Sequence, residues 1–184
     1  MASSVHFKKA LAIGKTGESQ ISKWLLSRGA SVLPIYEIAE NQFKGPAMYS
    51  GDATIIAPDM MVFSEGKITF VEAKHKNAFS WHRKTKTWNT GIDLHHYREY
   101  IKIQENTWVP IWLMFLHRGG AAKDSLVSPA GLFGNSLEKL MRTEHHRHSN
   151  HGKSGMVYWE KDSLIKLAEY PLVDGKVKYV SKKW

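Results

Sequence analysis

The chain has 184 residues and a mass of 21.0 kDa, and a hydrophobic fraction of 42% suits one globular domain rather than a disordered chain. Cysteine is absent, which excludes disulfide scaffolds and thiolate chemistry, and the longest apolar stretch, 109–116, is too short to cross a bilayer. The 26 Lys and Arg residues against 17 Asp and Glu residues give a net charge of +9, which indicates a polyanionic partner such as nucleic acid.

The first part of the chain is predicted to form one helix and three strands. Ile21, Trp24 and Leu25 recur at helical spacing, and Gly29 is a natural stop. Pro34 lacks a backbone donor, so the first strand is expected at a sheet edge. The predicted elements are a helix over 15–29, a strand over 31–38, a polar loop over 40–52 and a hairpin of strands 53–64 and 67–74.

The remaining elements are predicted from apolar runs and turn residues. Segment 109–117 is almost wholly apolar, which is typical of a strand buried on both faces. The further elements are a basic aromatic loop over 75–91, helices over 92–104 and 132–142, a His-rich loop over 144–155, a strand over 156–159, a short helix over 163–169 and a hairpin over 169–180. This order predicts a single α/β domain, with a central mixed β-sheet flanked by helices.

Three charged residues in the segment APDMMVFSEGKITFVEAKHK carry the chemical signal. Glu72 and Lys74 are two residues apart on a predicted strand, so their side chains share a face. Asp59 belongs to the preceding strand of the hairpin, where it can lie beside Glu72. Two adjacent carboxylates form an oxygen site for Mg²⁺, and a neighbouring lysine can orient or deprotonate water or stabilise developing charge. The pattern indicates metal-assisted phosphodiester hydrolysis.

The acid-x-Lys triplet alone is weak evidence, because the chain contains it three times. The copies at 65–67 and 174–176 have a central glycine and resemble turns. Only Glu72-Ala73-Lys74 lies on an apolar strand with Pro58-Asp59 on the partner strand. The alternative is an ordinary hairpin with solvated charges, which the apolar flanks disfavour because charges emerging from buried strands need partners or a function.

Pro58-Asp59 followed by Glu72-Ala73-Lys74 resembles the motif of the PD-(D/E)xK nuclease superfamily. The order of predicted elements is similar to the core of Holliday-junction-resolvase-like members. The resemblance covers about residues 14–117, and it leaves 118–184 as a C-terminal extension of the single nuclease domain. It implies a restriction-endonuclease-like core.

The resemblance also implies roles for individual residues. Asp59, Glu72 and the Ala73 carbonyl would hold Mg²⁺, for which Mn²⁺ can substitute, and Lys74 would be the catalytic lysine. Glu18 matches an acid that superfamily members often carry on an upstream helix. It either completes the metal and catalytic set or is a carboxylate on the helix surface.

A basic, aromatic segment follows Lys74, and no acidic residue lies between Glu72 and Asp93. Cations neutralise phosphates and aromatic faces stack on unpaired bases, so this segment is expected to bind DNA. The alternative for its two tryptophans is packing against the core. His96, on the following helix, occupies the place of a Gln or Lys in many superfamily members. The expected DNA contacts are Lys76, Trp81, His82, Arg83, Lys84, Lys86, Trp88 and His96.

A second histidine-rich segment, HHRHSNH, covers 145–151. The spacing is not a familiar zinc signature and no cysteine is present, so a solvated loop or phosphate contacts are favoured over a zinc site.

These observations predict a metal-dependent DNA endonuclease, and the resemblance implies selectivity for branched or junction DNA. A resolvase cuts two strands, so a two-fold homodimer is expected. We expect a cytoplasmic protein of a bacterium, an archaeon or a phage-infected cell, with no membrane partner and no signal peptide. The alternatives are a sequence-specific restriction-type nuclease and a non-catalytic nucleic-acid-binding module. Two carboxylates favour catalysis, because they repel DNA unless a metal neutralises them.

Overall fold

The computed structural model describes residues 17–35, 46–51, 53–121, 126–149, 154–170 and 178–179. Its helices are α1 (17–27), α2 (Leu94–Thr107) and α3 (Leu137–Arg142), with a 3₁₀ turn at Lys161–Ser163. Its strands are β1 (Ser31–Pro34), β2 (Ala47–Ser50), β3 (Ala53–Ile56), β4 (Met60–Ser64), β5 (Lys67–Lys76), β6 (Ser80–His82), β7 (Thr87–Asp93), β8 (Ile111–His117), β9 (Gly131–Ser136), β10 (His146–His148), β11 (Met156–Glu160), β12 (Ile165–Glu169) and β13 (Lys178–Tyr179).

The centre of the fold is a seven-stranded sheet of order β1-β4-β5-β8-β9-β12-β13. Strands β5 and β8 run parallel, and the other neighbours in this sheet are antiparallel. A four-stranded sheet of order β10-β11-β7-β6 and the hairpin β2-β3 complete the described strands. The predicted class, a mixed α/β fold with a central mixed sheet flanked by helices, is confirmed.

Two hydrophobic clusters cover the two faces of the central sheet. On one face, Ile21, Trp24 and Leu25 of α1 pack against Val71 and Ala73 of β5. The other face packs against α2, α3 and the four-stranded sheet. Side chains alternate along a strand, so the even-numbered residues of β5, including those at 72 and 74, lie on this second face. We call it the site face.

The predicted β4–β5 hairpin is present, and it fixes the position of Asp59. Its register runs from Met60 opposite Val71 to Ser64 opposite Lys67, around a turn at Glu65-Gly66 in which both φ angles are positive. Because Asp59 immediately precedes this register, it lies next to Glu72, as the sequence predicted.

Several further predictions are confirmed within the described residues. Helix α1 falls inside 15–29, α2 overlaps 92–104, and β11 covers 156–159. Strand β1 ends the sheet order, so Pro34 is at an edge. The predicted buried strand is β8, whose residues Ile111 and Phe115 are fully buried.

The segment before the hairpin differs from the prediction. The strand predicted over 53–64 is broken at 57–59 into β3 and β4, which belong to different sheets, because Pro58 cannot donate to a ladder. The predicted loop over 40–52 contains β2, which pairs with β3.

Local propensity also failed at several segments that become strands by pairing with other strands. The predicted loop over 75–91 is the end of β5 followed by the β6–β7 hairpin, and the predicted loop over 144–155 contains β10. The predicted helix over 132–142 is β9 followed by α3, since the Ser136 hydroxyl accepts from the Lys139 N–H and starts the helix there. The predicted helix over 163–169 is β12, which pairs with β9.

Residues after 118 contribute β9, β12 and β13 to the central sheet, so the predicted C-terminal extension is part of the same sheet. Positions 36–38, the turn at 174–175 and His151 lie outside the described residues. No helix among the described residues is long and apolar enough to cross a membrane.

Candidate active site

Three charged side chains of β5, at positions 72, 74 and 76, share the site face. Glu72 lies in the middle of a strand within the hydrophobic sheet and is only 1% exposed, which is unusual for a carboxylate. The Lys74 ammonium forms an ion pair with Glu72 Oε1. The sequence-predicted pair of Glu72 and Lys74 is therefore brought into direct contact.

Asp59 is held beside this pair through the backbone of β5. Its Oδ2 accepts a 2.7 Å hydrogen bond from the Ala73 N–H. The N–H and C=O of one residue point to the same side of a strand, so the Ala73 carbonyl is also directed toward the Asp59 side. Burial and the Glu72 charge raise the pKa of Asp59 to about 8, against the opposing effects of Lys74 and the Ala73 N–H.

The ionic state of Lys74 follows from the same neighbours. Burial alone would lower the pKa of Lys74, but the charges of Glu72 and Asp59 outweigh it and raise that pKa. Without a metal ion, Lys74 is therefore an ammonium. In this state it can stabilise negative charge but cannot remove a proton from water.

The Glu72 carboxylate is well suited to a divalent cation. Neither of its oxygens has a hydrogen bond of good geometry, although Lys74 and Tyr100 lie against it. Among the described residues, no three His, Asp or Glu side chains converge as a ready metal site. An ion here would be held by Asp59, Glu72, the Ala73 carbonyl and water, which is an oxygen set suited to Mg²⁺ or Mn²⁺.

Glu18 approaches the site from α1, on the opposite face of the sheet. The start of α1 packs so closely on β5 that a Cβ at Gly17 would lie 2.4 Å from the His75 Cβ. The Glu18 charge contributes to the raised pKa values of Asp59 and Lys74. Glu18 is therefore close enough to influence the site electrostatically.

Helix α2 covers the site face with His96 and Tyr100. Burial and the Lys74 charge lower the pKa of His96. Tyr100 is 1% exposed, and its pKa is raised by burial, by Glu72 and by Asp59. The sequence interpretation did not include Tyr100 among the site residues, although its position one turn after His96 was a usable signal.

The predicted DNA contacts do not lie on one surface of the protein. Lys76 lies on the site face, where burial and Lys74 lower its pKa to about 8. Trp81 and Trp88 pair across the β6–β7 hairpin with ring centroids 4.9 Å apart, and Trp88 packs against the core. The exposed residues of the β6–β7 turn are Arg83, Lys84, Thr85 and Lys86.

No protein-family model matches the chain, and no curated protein matches its sequence. Among solved structures, the fold is similar to Hjc of Archaeoglobus fulgidus, a Holliday junction resolvase from an archaeal hyperthermophile. The TM-score is 0.47 and the sequence identity 7%, with 82% of this chain and 90% of the resolvase covered. Similarity at this level assigns neither a family nor an activity.

Proposed function

We propose that this protein is a Mg²⁺-dependent endonuclease that hydrolyses phosphodiester bonds in DNA, with Mn²⁺ able to replace Mg²⁺. The observation that carries the proposal is the juxtaposition of Asp59 and Glu72, two largely buried carboxylates, with Lys74 paired to one of them. A structural ion pair needs one carboxylate. A second one beside it is unfavourable unless a cation joins the site.

Each residue has a definite task in this proposal. Asp59, Glu72 and the Ala73 carbonyl would hold the ion, which when bound would activate a water and neutralise charge on the scissile phosphate. The Lys74 ammonium stabilises the negative charge that develops on the phosphate oxygens. Lys76, farther along the same face, is placed to contact a neighbouring phosphate. Glu18 adds negative charge from α1.

We infer that branched or junction DNA is the preferred substrate and that a two-fold homodimer is the active form. The basis is the resemblance of the motif and of the element order in the sequence to resolvase-like nucleases. Two strands cut in a symmetric branch require two active sites, which a two-fold dimer supplies.

Cleavage of labelled DNA tests the activity. The panel contains a four-way junction, a flap, a plain duplex and a single strand, each with Mg²⁺, Mn²⁺ or chelator. We expect cation-dependent cleavage, with a decrease of at least about 10²-fold in Lys74→Ala because transition-state charge stabilisation is lost. Asp59→Ala should show a similar loss. Lys67→Ala, at the exposed start of β5, is the matched control and should cut normally.

The pattern of cutting discriminates between the alternatives. Cutting of plain duplex at fixed sequences would identify a restriction-type nuclease instead of a branch-selective one. Tight binding without cutting under either cation would contradict the proposal and identify a non-catalytic binding module.

A further inference from the structure

The turn between β6 and β7 is fully exposed and carries most of the charge of this hairpin. We call it the hairpin tip, and it consists of Arg83, Lys84, Thr85 and Lys86. Three of these residues are cations, and the segment 73–92 around them contains no acidic residue. Neither Lys84 nor Lys86 forms an ion pair with another described residue. These two ammonium groups are therefore available to a polyanion.

A chain of hydrogen bonds holds the hairpin tip from one face of the hairpin. The Thr85 hydroxyl lies 2.7 Å from His82 Nδ1 and 2.7 Å from the Thr87 hydroxyl. The Asn89 amide donates to both the carbonyl and the hydroxyl of Thr87 at 3.1 Å, and Asn89 itself is 1% exposed. The exposed turn is thus tied to a buried side chain.

The other face of the hairpin is held by its two tryptophans. Trp81 and Trp88 are cross-strand partners with ring centroids 4.9 Å apart, and Trp88 packs against the core. Between these supports, Lys86 has a left-handed φ of 55°, which is uncommon for a lysine. A turn that is fixed from both faces is ordered before a ligand arrives, so binding requires little further loss of conformational entropy.

The hairpin tip presents charges and not ring faces. Its side chains are cations and one hydroxyl, while the nearby rings already have partners, since the tryptophans contact each other and His82 stacks on His146. Lysine and arginine neutralise phosphates, and such contacts position a protein on nucleic acid without reading its sequence. The hairpin tip is therefore suited to a sugar-phosphate backbone.

The connections of the hairpin set its distance from the carboxylate site. Strand β7 has seven residues, which span about 20 Å, and it leads directly into α2 on the site face. The part of α2 from Leu94 to Tyr100 adds or subtracts about 9 Å. The hairpin tip thus lies between about 10 and 30 Å from Tyr100, or about three to nine base pairs of duplex at about 3.4 Å each.

We propose that the hairpin tip is a preformed contact for the phosphate backbone of a duplex arm that flanks the scissile bond, about three to nine base pairs from it. The inference rests on the proposed nuclease function. A duplex is the partner because DNA is stiff over this distance, so a contact fixed in the protein meets a phosphate in a fixed place. An unpaired strand offers no such fixed position.

The salt dependence of binding tests the charge contacts. Affinity for a four-way junction with long arms is measured in chelator for the combined variant Lys84→Gln and Lys86→Asn, since asparagine tolerates a left-handed φ. The slope of log affinity against log salt should decrease by about 2, because each lost phosphate contact contributes about 0.9. Lys23→Gln combined with Lys67→Gln removes the same charge from exposed positions outside the hairpin tip and should keep the slope.

Replacement of single phosphates by neutral methylphosphonates locates the contact on the DNA. The cleavage sites of the unsubstituted chain are first mapped with Mg²⁺. Neutral positions about three to nine base pairs from these sites should weaken binding by the wild type. The combined variant at 84 and 86 should be insensitive to the same replacements, because its contacts to them are already lost.

Thr85 tests whether the order of the hairpin tip matters, apart from its charge. Thr85→Ala breaks the hydrogen-bond chain and should weaken binding by about threefold with an unchanged salt slope, because the cations must then be ordered on binding. Thr85→Ser keeps the hydroxyl and should bind as the wild type does. Thermal unfolding of each variant checks that the sheet is intact.

Two outcomes would overturn the proposal while wild-type cleavage leaves the proposed function standing. One is an equal salt slope in the tip variant and in the control variant. The other is a methylphosphonate pattern in the tip variant that matches the wild-type pattern. Binding that depends on the hairpin tip without any cutting would support the contact and contradict the nuclease. A chain that neither binds nor cuts DNA would contradict both.

Discussion

Burial, more than residue type, distinguishes the charged residues of the site from other carboxylates and lysines of the chain. Glu72 and Asp59 are ordinary carboxylates in the sequence, but the first is 1% exposed and the pKa of the second is raised to about 8. The buried Lys74 stays an ammonium because both acids surround it. Burying these charges costs free energy of desolvation, which their mutual pairing offsets only in part.

The position of Tyr100 against Glu72 can be tested by substitution. Its phenol lies against Glu72, so Tyr100→Phe removes a hydroxyl beside a carboxylate of the proposed cation site. We expect cleavage, or Mg²⁺ affinity measured by calorimetry, to fall by about 10-fold or more. Tyr97→Phe changes a buried tyrosine of the same helix that contacts Trp159 edge-to-face, and it should leave both quantities unchanged. Equal effects of the two variants would contradict the assignment.

His117 predicts how stability depends on pH. It is fully buried against Phe79, and burial followed by the Lys76 charge lowers its pKa to about 3. The unfolded chain binds this proton near pH 6.5, so its contribution to stability is complete above that pH and is lost as the pH falls toward 3.

The measurement is denaturant unfolding between pH 7 and 5. The wild type should lose up to about 1.4 kcal/mol per pH unit more than His117→Leu over this range. His95→Gln changes an exposed histidine and should keep the wild-type slope. Parallel pH profiles of the wild type and His117→Leu would refute the prediction.

Pairs of elements bring the site residues together. The β4–β5 register sets Asp59 beside Glu72, and α2 lays Tyr100 on that pair. On the other face, α1 touches β5 at Gly17 and His75, which brings Glu18 near the strand. The placement of α1 and α2 therefore helps to set the surroundings of the site.

Gly17→Ala tests the placement of α1. The new methyl group would collide with the His75 Cβ, so α1 must shift, and we expect the free energy of unfolding to fall by about 1–3 kcal/mol. If the Glu18 charge contributes to the site, cleavage also falls under conditions in which the protein remains folded. Ser19→Ala, on the exposed side of the same helix, is the control. A variant with wild-type stability would show that this contact is not tight.

The central sheet, which carries the candidate site, lies beside a four-stranded sheet. The β6–β7 hairpin comes from the segment next to Lys74, and β10–β11 comes from the segment predicted as an extension. Their pairing through β7 and β11 joins the two segments in one sheet. Neither segment could form that sheet alone.

The proposed two-fold dimer can be tested through the mass of the protein in solution. If cleavage of a symmetric junction requires two sites, light scattering during gel filtration should give twice the 21.0 kDa chain mass, with or without DNA. A Lys74→Ala chain mixed in excess with the wild type should then reduce paired cleavage while single nicks persist. A monomer at concentrations that cut both strands would contradict the dimer.

The sequence by itself determined the basic charge, the mixed α/β class, the β4–β5 hairpin and the neighbouring positions of Asp59 and Glu72. These follow from local alternation and turn chemistry, which act over a few residues. It missed the β6–β7 hairpin and strands β9, β10 and β12. The β6–β7 and β10–β11 pairs are local, but the β7–β11 and β9–β12 pairings join segments far apart in the chain. Only the tertiary structure decided that Trp88 of the basic hairpin packs against the core and that His82 meets the opposite edge of the four-stranded sheet. Burial against distant residues outweighs local propensity at such positions.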